Sequence, residues 1–417
     1  MATDTRHRLA TFCADHEAKI VDVARRLIAV PSPNPPLDTN AVGQAALGII
    51  QELVPSAEVG LYPGNEEVAN VVARLRGRGP GKRVVLNGHL DTYPVGDASA
   101  WTVAPLGGEV KDGKLYGRGA ADMKGGIAAS IVAFAALAEV RDQWDGEVSL
   151  TLAGDEESMG SLGTRYLIDN IEGAAGDAAI IADAGSPMVI RFGEKGFVWA
   201  RIRAAGRPAH GAHVHLGDNA LDRLRRVLDR LDSLRSVPVP HPEGVAEAIA
   251  AAKAISEPLA GTGEADVLQS VTVNLGNMSG GTSPNLVPAS AEASMDIRVP
   301  AGLKAAWIVE AIQKACEEEP GVTAEIIREV DPTITPPDSP IVGIVRTVAR
   351  DVLGQDPTVN MRVGASDSRL FRQSGIPTVV YGPTPRNMGG ADEHVSIAEL
   401  VQVAKVHAIA AYDFLTG

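Results

Sequence analysis

The stretch Lys82-Arg83-Val84-Val85-Leu86-Asn87-Gly88-His89-Leu90-Asp91 decides how this chain is built. Val84 to Leu86 is an apolar, β-branched run of the kind that forms a buried strand. It delivers His89 and Asp91 just past its end. Two residues apart in an extended chain, they share one side, so the Asp91 carboxylate can orient the His89 ring. Downstream, Gly117-Arg118-Gly119-Ala120-Ala121-Asp122-Met123-Lys124-Gly125-Gly126 is a glycine-rich loop bearing one carboxylate. Glu147-Val148-Ser149-Leu150-Thr151-Leu152-Ala153 is a second strand pattern, and it runs into Gly154-Asp155-Glu156-Glu157. Histidine and carboxylates on loops after buried strands suit a hard or borderline divalent cation. In open α/β sheets such loops line the ligand crevice at the carboxyl ends of the strands.

Outward from this stretch, residues 70–75 and 178–182 also read as strands, the second ending at Asp183, and 378–381 as another. The turn-rich 77–81 joins 70–75 to 84–86. Helical spacing marks residues 8–30, 41–53, 126–140 and 397–415. Pro31-Ser32-Pro33-Asn34-Pro35-Pro36 ends the first helix; such a loop can border a site, but a rigid connector is the preferred reading. Strands alternating with helices predict an α/β fold with a mainly parallel sheet flanked by helices. The pattern changes after Pro187. Residues 197–204 alternate apolar and basic side chains, as a half-solvated strand does. Residues 216–234 form an amphipathic helix, and 236–263, rich in proline, alanine and glycine, read as an insertion. Strands at 270–275, 291–298 and 322–330 and a helix at 304–318 complete a smaller α+β block. The expected boundaries are 1–188 and 334–417 for one domain and 189–333 for a domain inserted in it.

At 417 residues the chain exceeds one ordinary domain. With 45% hydrophobic and 22% charged residues it has ample material for a core. A formal net charge of −14 argues against a nucleic-acid surface or an anionic membrane as partner. Cys13 and Cys316 lie in separate helix-like stretches without metal-ligand spacing, which fits a reducing compartment. Met1-Ala2-Thr3-Asp4 lacks the apolar segment of a signal peptide. The apolar run 125–138 is too short to span a bilayer and reads as a buried helix. A cytoplasmic protein is expected.

Each motif alone is weak; their order and context are specific. His-x-Asp follows a strand, then come Gly-Arg-Gly-x-x-Asp-Met-Lys-Gly-Gly and Asp-Glu-Glu after a second strand. Asp183 follows another strand, and Glu393-His394 lies near the C-terminus. In this combination the chain resembles the co-catalytic zinc peptidase and amidohydrolase family of acetylornithine deacetylase, succinyl-diaminopimelate desuccinylase, aminoacylase, carnosinase and glutamate carboxypeptidase. The resemblance runs from about Leu27 to about Phe414. It implies two Zn2+ per subunit, with Co2+ or Mn2+ as substitutes. His89 and Asp183 would hold one ion, Glu157 and His394 the other, and Asp122 would bridge them. Asp91 would support His89, and Glu156 would be the general base. Which of Glu156 and Glu157 is ligand and which is base comes from the family, not from spacing. Two ions roughly 3.5–4 Å apart acidify a water and polarise a carbonyl together. Many deacylases of the family carry Glu where Asp183 stands, and dipeptidase or aminopeptidase members often carry Asp.

The resemblance extends to the inserted block, which would be a lid and dimerisation domain. Gly206-Arg207-Pro208-Ala209-His210-Gly211 matches a segment whose histidine reaches the partner subunit's site and stabilises the tetrahedral oxyanion. His213 and His215 follow; three histidines in six residues admit an independent metal site, disfavoured because no carboxylate or cysteine accompanies them at ligand spacing. Asn285, in Pro284-Asn285-Leu286-Val287-Pro288, and Arg298, in Asp296-Ile297-Arg298, resemble lid residues that grip substrate. The Arg fork suits a carboxylate. Gly364-Ala365-Ser366-Asp367 resembles a loop beside the substrate, with Gly364 and Ser366 as contacts. For Arg362, just before it, a site role and a surface role stay open. The implied activity is hydrolysis of the amide of an N-acyl amino acid or small peptide with a free carboxylate, by a homodimer. A dipeptidase or aminopeptidase is the alternative. A non-catalytic metal- or peptide-binding relative is disfavoured because every ligand and base position is filled. A dinucleotide-binding protein is disfavoured because Gly117-Arg118-Gly119 lacks the third fingerprint glycine.

Overall fold

The computed structural model describes residues 2–417. In chain order the strands are β1 (Glu58–Pro63), β2 (Ala69–Arg76), β3 (Arg83–His89), β4 (Val110–Lys111), β5 (Lys114–Tyr116), β6 (Glu147–Ala153), β7 (Ala178–Ile181) and β8 (Val189–Glu194). They continue with β9 (Gly196–Ala205), β10 (Thr272–Gly280), β11 (Ser290–Val299), β12 (Val322–Val330), β13 (Thr333–Ile334), β14 (Thr358–Arg362), β15 (Thr378–Val380) and β16 (His394–Ser396). Nine of them make one sheet in the order β1-β2-β6-β3-β7-β15-β8-β13, with β14 on β8. β10-β11-β9-β12 make a second sheet and β16-β5-β4 a small third one.

The large sheet is mixed, which corrects the expected mainly parallel one. Its centre, β6-β3-β7-β15, is parallel, while β1-β2-β6 on one side and β15-β8-β13 on the other are antiparallel. Residues 70–75 and 84–86 form strands but do not pair, because β6 inserts between β2 and β3. All seven residues of β6 are buried, as a strand covered on both faces requires. The apolar run after Asp122 is the helix Gly125–Glu139, buried along Gly125 to Leu137 and packed on the C-terminal helix Ile397–Thr416. Only when the turn before it is counted, as Ala120–Glu139, do length and composition pass for a membrane span, and that stretch is 94% buried in the middle of the core.

Several expectations shift at their edges. Residues 8–30 form two helices, Ala2–Asp15 and Glu17–Ile28. They break at His16, whose Nδ1 bonds the Phe12 carbonyl at 2.8 Å. The amphipathic helix begins at Ala220, not 216, because the Asn219 side chain caps it by accepting from the N–H groups of Leu221 and Asp222.

The largest departure lies in residues 236–263, which contain a 16-residue helix, Val245–Ala260, followed by Glu264–Gln269. Its apolar face, Val245, Ala248 and Ile249, joins the core of the large sheet together with Ala265 and Leu268, not the core under the four-stranded sheet. β8 and β13 likewise belong to the large sheet, so residues 189–194 leave the smaller block as it was drawn from sequence. The chain therefore passes repeatedly between the two cores, at Lys195, between Val237 and Val245, between Leu268 and Val271, and between Val330 and Thr333, and Ala301 just past β11 also reaches into the larger core.

Candidate metal centre

β6, β3 and β7 are neighbouring parallel strands, so the turns after them emerge on one rim of the sheet. They carry Glu156 and Glu157, His89 and Asp91, and Asp183. Asp122 joins them from the irregular turn Ala120–Lys124, where its φ of −132° and ψ of 93° break the helical path. Two glycines shape this turn. Gly119 sits at φ +83°, and a Cβ on Gly126 would lie 2.0 Å from the Ala182 carbonyl oxygen. Glu393 holds the turn from the other side. Its Oε1 accepts from the N–H groups of Ala121 (2.9 Å) and Asp122 (3.2 Å), and its Oε2 accepts from Arg118.

His89 Nδ1 bonds the Asp91 carbonyl at 2.9 Å, and its Nε2 meets Asp122 Oδ1 at 3.0 Å. Burial disfavours protonation of His89, but the bonds to Asp122 and Asp91 outweigh it and hold its pKa well above the ordinary range. Burial likewise works to raise Asp122, and the His89 bond and charge overcome it and hold the carboxyl low. Burial pushes Glu157 up to about 8, aided by the negative Asp122. Glu156 is raised well above its ordinary value by burial and by Asp367, Glu157 and Asp183, against the pull of His89.

The donor set fits a divalent cation. Ligand atoms of His89, Asp122 and Asp183 lie within 4.8 Å of one another, and so do those of His89, Glu156 and Glu157. Glu157 Oε1 is buried without a hydrogen-bond partner. A bare buried carboxylate oxygen is costly, and a cation relieves it. Nitrogen and oxygen donors without sulfur suit zinc, cobalt or manganese.

Other expected residues fall in different places. Asp91 does more than orient His89. Its carboxylate lies 3.4 Å from His89 Nδ1, but it also accepts from the backbone N–H of Glu156 (3.1 Å) and Glu157 (3.0 Å) and so fixes the turn carrying both acids. Asn34 donates to Asp91 at 2.9 Å and accepts from Ser158 at 2.8 Å, so the proline-rich connector is a wall of the site. His394 lies outside both close ligand groups: its Nδ1 bonds the Asp392 carbonyl at 2.8 Å and its ring lies tilted against Tyr116, centroids 4.6 Å apart. Its strand, β16, does pack against the Asp122 turn. Glu156 and Glu157 share one group around His89, so position alone does not divide ligand from base.

Above the acids lies a cavity of about 270 Å³, lined by Asp122, Glu156, Glu157, Asp183, Arg298, Gly364 and Arg362. Tyr93, Met159, Phe197, Trp199, Ala365 and Met388 complete it; none of these six was singled out from sequence. Arg298 reaches in from β11, stacked over the Phe197 ring at 5.0 Å and paired with Asp296 at 2.8 Å. Ser366 does not line the cavity. It is fully buried, and its Oγ donates to Glu194 at 2.8 Å, so it braces the loop from beneath. His210 and Asn285 come together elsewhere, on an exposed loop pair where Gly211 N–H donates to the Asn285 carbonyl at 2.7 Å. His213 and His215 are exposed beside them.

A crevice at the carboxyl ends of parallel strands, holding one histidine among half-buried and buried carboxylates with an arginine overhead, is the arrangement of a metal-dependent hydrolase. Comparison with known proteins supports this class. The sequence matches Peptidase family M20/M25/M40 over residues 85–413. A succinyl-diaminopimelate desuccinylase from Rhodospirillum centenum is 32% identical over 401 residues, covering 93% of this chain and 95% of the relative. The M20 family metallo-carboxypeptidase Sso-CP2 from Sulfolobus solfataricus shares the fold with a TM-score of 0.77 at 18% identity, covering 96% of this chain and all of that one. Human carnosine dipeptidase 1 shares it at 0.73 and 16% identity, covering 99% of each chain. The chain belongs to Peptidase family M20/M25/M40 and is a hydrolase of amide bonds.

Proposed function

We propose that the protein is a dinuclear zinc hydrolase that cleaves the amide of an N-acyl amino acid or small peptide bearing a free carboxylate on the leaving side. The observation that carries this reading is one cavity in which Asp183 and the half-buried Asp122, Glu156 and Glu157, the last with one buried oxygen that has no hydrogen-bond partner among the described residues, are lined up with Arg298. His89, Asp122, Asp183, Glu157 and His394 would hold the ions. When bound, the two ions supply an acidified water and a polarised carbonyl. Glu156, whose affinity for protons is raised by burial, takes the proton and returns it to the leaving amine. Arg298 holds the substrate carboxylate and Gly364 leaves the cavity wall open beside it, while Asn285, exposed next to His210, would reach the substrate in the site of a second copy. His210, exposed on its own chain, donates to the oxyanion in the site of a second copy. The two free cysteines support a cytoplasmic setting and the net charge of −14 a small-molecule partner in place of nucleic acid or an anionic membrane; the exposed His210 loop is what favours a homodimer.

A dipeptidase or aminopeptidase is the second reading, favoured by Asp in place of Glu at position 183. One screen separates the two. N-acyl amino acids, their C-terminal amides and dipeptides are assayed with and without added Zn2+ or Co2+. The first reading expects acids to be preferred over amides by more than about tenfold, the worth of a charge-assisted bond. Equal efficiency on acid and amide moves the function toward aminopeptidase-like chemistry, where a free amine is read instead of a carboxylate.

A further inference from the structure

Arg362 enters the cavity from a place that sequence left open. It is the last residue of β14, opposite Glu194 of β8 in the register, and its carbonyl accepts from the Lys195 N–H at 3.2 Å. The two residues before it are clamped. The Asn360 side chain donates to Ser256 Oγ at 3.0 Å and Glu264 Oε2 at 3.3 Å, both from the 245–269 segment. Arg191 donates to the Met361 carbonyl at 2.5 Å and to Glu264 Oε1 at 2.9 Å. The guanidinium therefore stands on fixed backbone and is not a mobile surface arm. Its Nη1 donates to Asp183 Oδ2, in a pair whose side chains are 18% and 5% exposed.

The two carboxylates that face the cavity from neighbouring turns are thus equipped differently. Both oxygens of Asp183 already accept a bond, Oδ1 from the Ala184 N–H at 2.5 Å and Oδ2 from Arg362. Glu157 keeps a buried oxygen bare. A guanidinium does not lose its proton in a protein, so the charge it places on Asp183 is permanent. Charge drawn from a carboxylate makes it a poorer donor, and an ion on a poorer donor keeps more of its own charge for the substrate.

We propose that Arg362 is a positioning residue that withdraws charge from Asp183, so that the divalent ion bound there is held less tightly and acts as a stronger electrophile. This rests on the metallohydrolase reading above. It predicts a sign. A residue that only steadied Asp183 would, when removed, weaken metal binding, as loss of a partner behind a ligand usually does by about 10- to 100-fold. A charge-withdrawing residue, when removed, strengthens metal binding while slowing turnover.

The test uses the full chain as wild type, Arg362→Met, Arg362→Gln and Arg362→Lys. Zn2+ affinity is measured against a chromophoric chelator, the Co2+ protein is followed by its visible spectrum, and kcat and KM are taken on an amide the wild type cleaves. Expected are at least about tenfold tighter Zn2+ in Met and Gln, a kcat lower by about tenfold or more with a smaller change in KM, and a return of both toward wild type in Lys. Met and Gln are read independently, so misfolding of one leaves the other. Unchanged or weaker Zn2+ binding in the folded neutral variant overturns the proposal. A wild type that binds no Zn2+, or cleaves no amide, overturns the metallohydrolase reading itself and this proposal with it.

Discussion

The cavity floor and the loop pair bearing His210 and Asn285 are built by opposite means. On the floor every acid is backed by the chain that carries it. Asp91 caps the Glu156–Glu157 turn, Glu393 caps the Asp122 turn, and Asn34 links Asp91 to Ser158. The loop pair has an ordered backbone, with His210 bridged to Leu286, yet its side chains turn outward. Val214, Leu216 and Leu286 are exposed there too. One region is braced within a single chain, while the other is an exposed surface whose His210 and Asn285 side chains bond, among the described residues, only within their own loops, to Ala212 and Ser283. Rigid and outward-facing is what a contribution to a neighbour's site requires.

Four substitutions sharpen or break that contrast. On the floor, Asp122→Ala removes the carboxylate bonded to His89 and is expected to abolish measurable turnover and lower bound metal. Elemental analysis showing full metal retention would contradict the bridging role. Glu156→Gln keeps the shape of the turn, because Asp91 grips the backbone and not the side chain. Metal content should be native while kcat falls by roughly 10²–10⁴-fold. Native turnover in this variant, with loss of turnover but not of metal in Glu157→Gln, would reverse the two roles.

On the loop pair, His210→Ala should cost about 10²–10³-fold in kcat. Since the side chain is exposed, melting temperature and metal content should not move. Verified heterodimers of His210→Ala with Glu156→Gln should recover one intact site; no recovery means that His210 does not act across chains. The smallest effect is expected at the roof. Arg298→Ala should erase a preference of about tenfold for acid over amide substrates and leave kcat on the amide nearly unchanged. A preference that survives would assign the carboxylate to another donor.

The floor was far more legible in sequence than its supports. His89, Asp122, Glu156, Glu157 and Asp183 stood out because each is a polar residue stranded at the end of an apolar strand or in a glycine turn, where local pattern and chemistry disagree. Asn34 did not stand out, since the four prolines around it favour a connector and nothing in the sequence shows that 57 residues later Asp91 will need its amide. Ser366 misled for a related reason. Its loop was placed correctly by Gly364, but which of two neighbouring residues points inward depends on Glu194, a partner 172 positions away. The helix Val245–Ala260 was hidden by composition: alanines and a late proline read as loop. Its apolar stripe acquires meaning only against β14, a strand of five residues that is itself too short to announce. Mixed pairing in the sheet was invisible because strand order is a property of crossovers, which leave no local mark.

The repeated passage of the chain between the two cores bears on how the protein can be cut. Excising residues 196–331 and joining Lys195 to Pro332 would seem to free the metal-bearing half as a minimal enzyme. It would also delete Val245, Ile249, Ala265 and Leu268 from the core that half retains, and it would strip Glu264 from buried Arg191. The remnant would have an open apolar flank and an unpaired buried charge beside β14. A minimal version of this enzyme must carry residues 245–269 with it, spliced back as a separate insert, or it will precipitate before it can be assayed.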